Sequence, residues 1–61
     1  MHEEFKRLQE KSGLSGRALA EWLGVDYATV KRYRNGESDV PTPTIIAMSY
    51  LVKYGPDYSG V

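Results

Sequence analysis

Cysteine is absent from this chain, which excludes disulfide staples and thiolate metal sites. Histidine occurs once, as His2, and a single imidazole builds no metal site, so neither a metal nor another cofactor is expected. No run approaches the ~20 apolar residues of a membrane-spanning helix. The opening stretch MHEEFKRLQEK is amphipathic and contains acids, unlike a secretory signal. Together these absences lead to the expectation of a soluble, cytoplasmic protein. Net charge is lacking too, since eight basic side chains balance eight acidic ones. Bulk is the last thing missing. A chain of 61 residues forms one domain, expected to span 1–61, and buries only about 60% of its unfolded surface. Folds this small lean on disulfides, a metal or a partner subunit. With the first two excluded, a partner subunit is the expected aid.

Catalytic patterns are equally scarce. Ser12, Ser15, Ser38, Ser49 and Ser59 have no histidine base other than His2. Glu3 and Glu4 fit a solvated helix start. No phosphate-binding glycine loop and no metal-ligand spacing occurs. An enzyme is not expected.

What the chain does hold is a helical rhythm punctuated by glycine. Gly13, Gly24, Gly36 and Gly55 each follow an apolar helical pattern, where a left-handed residue ends a helix at low cost. The expected fold is all-α, a compact domain of four helices. The first runs from about His2 to Ser12, with Phe5 and Leu8 on one face. The second starts after Ser15, a good N-cap, and turns Leu19, Ala20 and Leu23 inward. The third starts after Asp26, whose carboxylate suits the positive helix end, and turns Val30 and Tyr33 inward. The fourth is announced by Thr42-Pro43, a hydroxyl cap followed by proline at the first helical position. It ends near Tyr54, and the last five residues, Asp57 to Val61, are expected to be loose.

Residues 15–36, SGRALAEWLGVDYATVKRYRNG, carry the functional signal. Only Gly24, Val25 and Asp26 separate the second and third helices, and so short a link forces a sharp crossing. Ala20 is small where the helices meet, Gly24 permits positive φ at the turn, and Val25 and Val30 fill the angle. This is a helix-turn-helix, a device that places its second helix in the major groove of DNA. From Tyr27 to Gly36 there are three basic residues, Lys31, Arg32 and Arg34, and no acid. From Glu37 onward Glu37, Asp39 and Asp57 outweigh Lys53. A bipolar molecule of this kind presents a basic face to phosphate and keeps its acids away. The same charges also suit an ordinary solvated helix face.

The spacing Leu19-Ala20, Leu23-Gly24-Val25, Val30 and Tyr33 resembles the helix-turn-helix of the phage lambda-repressor and Cro type, as does the ending Arg34-Asn35-Gly36. The resemblance covers about Glu3 to Leu51. It implies a recognition helix that enters the groove near its N-terminal end. At 100° per residue, Ala28, Lys31 and Asn35 point away from Val30 and Tyr33. The expected base readers are Tyr27, Ala28, Lys31 and Arg32. Lys31 or Arg32 suits guanine O6 and N7, and Ala28 suits a thymine methyl. Phosphate contacts are expected from Ser15, Gly16 and Arg17 at the start of the second helix, and from Arg34 and Asn35 at the end of the third. These would set register without reading sequence.

Three departures from that family stand out. Gly16 replaces the polar residue, often glutamine, that commonly opens the second helix. Arg34 stands where many members carry a glutamate paired to an arginine of the first helix, so that ion pair is expected to be absent and Arg34 free to reach DNA. The loop ESDVPT is acidic where relatives are often basic.

The fourth helix, TIIAMSYLVKY, is apolar or aromatic around nearly its whole circumference, whereas a helix on the outside of so small a monomer should have a polar face. Tyr50 and Tyr54, with Trp22 of the second helix, are therefore expected at a homodimer interface. Two recognition helices ~34 Å apart would read a two-fold symmetric site. The leading expectation is a sequence-specific double-stranded-DNA-binding repressor or autoregulator. Its size is similar to small phage-encoded regulators, such as anti-CRISPR-associated repressors. A protein-interaction or antitoxin-like module on the same fold stays open, because fold does not fix function.

Overall fold

The computed structural model describes residues 2–56. The tail at 57–61, expected to be loose, lies outside the described residues. Four α-helices follow one another: α1 (His2–Ser12), α2 (Gly16–Leu23), α3 (Tyr27–Asn35) and α4 (Thr42–Tyr54). Among the described residues there is no strand. The all-α expectation and its four elements hold.

The ends of the helices are set by local chemistry. Ser12 closes α1: its hydroxyl donates to the Gln9 carbonyl at 2.6 Å and accepts from the Leu14 amide at 3.1 Å. The Ser15 hydroxyl accepts from the Ala18 amide at 3.1 Å, satisfying one of the orphan donors at the start of α2. Gly24 sits at φ 75°, and the Val25 amide donates back to the Ala20 carbonyl at 3.0 Å. That bond delivers Val25 onto the core, as a Schellman ending does. Gly36 repeats the device at the end of α3, with φ 78° and the Glu37 amide on the Arg32 carbonyl at 2.9 Å.

Two caps differ from expectation. Asp26 occupies the N-cap position of α3 with extended backbone, but its side chain makes no capping hydrogen bond. Its backbone carbonyl takes the Thr29 and Val30 amides instead. Thr42 is not the cap of α4. Pro41 is, because its carbonyl already accepts from Thr44 and Ile45 at 3.0 and 3.3 Å. Thr42 and Pro43 then form the first turn, where a proline's missing N–H costs nothing.

The core takes at least one side chain from every helix. Phe5, Leu19, Val30, Met48 and Leu51 are fully buried, with Leu8, Ala20 and Val40 around them. Tyr33 lies edge-on to Phe5, ring centroids 5.4 Å apart. Val40 reaches this core from the 36–41 loop, which the helical pattern alone does not reveal. α1 packs on α4 and α3, and α2 packs on α3. The last of these contacts holds α3 against α2.

Candidate nucleic-acid interface

α3 contributes one buried residue, Val30. Ala28, Lys31, Arg32 and Asn35, which turn away from it, are exposed, and so is Tyr27 on the flank beside them. Helical geometry thus puts the four expected base readers on one open surface. Beside it, Gly16, Tyr27, Val30, Lys31, Arg34 and Asn35 line a shallow cleft of about 240 Å3. The cleft joins the start of α2 to the outward face of α3, so two groups of candidates that are distant in sequence share one surface.

Tyr27 organises this junction. Its ring lies against Gly16 so closely that a Cβ there would stand 2.9 Å from Cε1. The Arg17 guanidinium carbon lies over the ring, 4.4 Å from its centroid, and the Lys31 ammonium lies 5.5 Å from it. Both distances fall within cation–π range. A side chain at position 16 would push the Tyr27 ring out of this seat. The sequence shows the glycine but not its neighbour.

The other phosphate candidates have mixed surroundings. The amides of Gly16 and Arg17 stand in the first turn of α2, with no intrahelical carbonyl before them. The Ser15 hydroxyl is occupied as an acceptor but keeps its own proton to donate. The Asn35 amide nitrogen donates to Glu37 at 3.3 Å, which brings a carboxylate to the edge of the basic surface.

Arg34 corrects an expectation. It is half-buried, and its guanidinium donates to Gln9 Oε1 at 2.9 Å, so it is not free. Gln9 is 4% exposed, and its Nε2 donates to the Leu14 carbonyl at 3.3 Å. One side chain thus links α1, the α1–α2 turn and α3. The ion pair expected to be missing is replaced by a hydrogen bond to a neutral acceptor, which occupies one guanidinium donor and leaves the charge of Arg34 intact. Gln9 was not a sequence candidate. Its place at i+4 from Phe5 on the buried face of α1 is the signal that points to it.

The aromatic candidates fall into two places. Trp22 is half-buried against the core, and its indole N–H donates to the Pro56 carbonyl at 3.2 Å. Its cleft is shared with Leu14, Ala18, Glu21 and Pro56, not with the α4 tyrosines. Tyr50 and Tyr54 stack at 5.8 Å between ring centroids. Ile46, Tyr50 and Tyr54 are each about half-exposed and share one stripe of α4 at successive i+4 steps.

A pair of packed helices, joined through a left-handed glycine and showing a basic outer face, defines a helix-turn-helix DNA-binding domain. A family profile described as a helix-turn-helix domain matches residues 3–50. The chain belongs to that family. Searches among curated proteins and among solved structures gave no match. Among the described residues no helix is long and apolar enough to cross a membrane, and no three metal-ligating side chains form a group.

Proposed function

We propose that this chain is a sequence-specific regulator of transcription of the lambda-repressor and Cro type, a repressor or autoregulator that binds an inverted repeat as a homodimer. The observation that carries this reading is the exposed face of α3, where Lys31 and Arg32 stand beside Tyr27 and Ala28 with no acid between them. Lys31 and Arg32 match guanine edges, and Ala28 matches a thymine methyl. Ser15, Gly16, Arg17, Asn35 and the remaining donors of Arg34 are the phosphate contacts of this reading.

The Ile46-Tyr50-Tyr54 stripe supports pairing of two copies, because an apolar stripe on the outer side of α4 gains from being covered. Trp22, expected at the same interface, lines a separate cleft with Leu14, Ala18, Glu21 and Pro56, so the dimer reading is argued from the α4 stripe.

The test is selection of bound sequences from a random duplex pool, followed by titration of the selected duplex at two salt concentrations. Enrichment of an inverted repeat, a steep loss of affinity with salt and loss of sequence preference on Arg32→Ala are the expected results. A folded protein that enriches nothing at low salt refutes the reading. It would move the function to a protein-interaction module, for which the same α4 stripe is the surface.

A further inference from the structure

We infer that Tyr27 is a positioning residue: its ring, seated on Gly16, is a platform that holds Arg17 of α2 and Lys31 of α3 as one preset pair of charges for DNA. This rests on the DNA-binding reading above and changes the part that Tyr27 plays in it. Three observations converge. Tyr27 stands at the first position of α3 and Gly16 at the first of α2, so their contact spans the two helices of the motif. The absence of a side chain at Gly16 lets the ring sit where any Cβ would meet Cε1 at 2.9 Å. Cationic groups from both helices, at 4.4 and 5.5 Å from the ring centroid, then converge on that one ring.

Long basic side chains normally lose rotamer freedom when they bind. Ordering each one at an interface costs affinity. A ring that already orders two of them in the free protein removes part of that cost and fixes their spacing. The ring's electron-rich face performs this task, and the phenol hydroxyl is not needed for it. A residue that instead read a base or bonded a phosphate through its hydroxyl would show the opposite dependence.

The experiment compares wild type with Tyr27→Phe and Tyr27→Leu, titrating a mixed-sequence duplex of about 30 bp, long enough for two recognition helices a turn apart, at about 50 and 200 mM salt. Tyr27→Phe is expected to bind within about twofold of wild type. Tyr27→Leu is expected to weaken binding on the order of tenfold, since two side chains must now be ordered at binding. In an Arg17→Ala/Lys31→Ala background, Tyr27→Leu is expected to cost nothing further. A readout without DNA accompanies these: ring-current shifts of the Arg17 Hδ and Lys31 Hε protons by NMR, present in wild type and Tyr27→Phe and lost in Tyr27→Leu.

If Tyr27→Phe binds as poorly as Tyr27→Leu, the hydroxyl contacts DNA directly; the platform is overturned and DNA binding stands. Absence of the ring-current shifts in the free wild type overturns the platform whatever the duplex result. A folded wild type that binds no duplex at low salt overturns both readings together.

Discussion

Replacing Gln9 by leucine tests the buried link between α1 and the recognition helix. The substitution keeps volume and removes both hydrogen bonds. One joins a neutral amide to the Leu14 carbonyl at 3.3 Å, and the other accepts from the charged Arg34 at 2.9 Å. Bonds of these kinds contribute about 0.5–1.5 and 1.5–3 kcal/mol. Arg34 is partly exposed and turns to water when released, and leucine gains apolar burial. Both offsets bring the expected net loss to about 1–2 kcal/mol. In a domain of this size each kcal/mol shifts the midpoint by about 4–8 °C, so Tm should fall by about 5–15 °C. Thermal unfolding followed by the fluorescence of Trp22, the single tryptophan, gives the value. Arg34→Met and the double variant complete a cycle, whose coupling energy is expected near 1 kcal/mol. A coupling within about 0.3 kcal/mol of zero, the scatter of independent sites, would show that Gln9 and Arg34 do not bond in solution. The assignment of Gln9 as the tie that holds α3 would then be refuted.

Three further outcomes follow from the same surface. Gly16→Ala should leave stability unchanged or raise it by up to about 1 kcal/mol through helix propensity. It should nonetheless weaken duplex binding several-fold, because Cβ displaces the Tyr27 ring; paired unfolding and binding titrations check the split. Glu37→Gln removes a carboxylate that holds Asn35 at the edge of the basic face, and low-salt duplex affinity should rise about two- to fivefold, an advantage that fades as salt screens it. Ser15→Ala removes the bond to the Ala18 amide and should cost about 1 kcal/mol of stability in urea unfolding.

Much of this architecture is legible in the sequence because its instructions are local. A glycine after an apolar turn, or a serine three residues before an amide it can cap, acts within one helical turn. The spans of α1, α2 and α3, the end of α4 and the left-handed Gly24 and Gly36 could therefore be read directly. The inward set Phe5, Leu19, Val30 and Tyr33 follows from the same helical periodicity. Features that depend on side chains meeting across the fold were hidden. Gln9 and Arg34 stand 25 positions apart, and nothing in either neighbourhood announces the other. Gly16 looks like a missing contact until the Tyr27 ring is seen filling its place. Val40 lies in an acidic, proline-bounded loop with no periodicity to betray its burial. The cap at Pro41 is a backbone carbonyl, which every residue owns, so the hydroxyl of Thr42 drew attention one position too late.

The close seat of Tyr27 on Gly16 has a consequence for how such a chain diversifies. Ala28, Lys31 and Arg32 lie on the open face of α3, and in the proposed DNA-reading role drift there would retarget the protein while leaving its fold untouched. Positions 16 and 27 have no such independence. A bulkier residue at 16 becomes tolerable only once the ring at 27 shrinks or swings away, and a ring gained at 27 becomes useful only over glycine. Among descendants of this sequence the two sites should change as a pair, glycine with an aromatic or a larger side chain with a smaller one. The route from one target preference to another through Tyr27 thus passes through position 16 first.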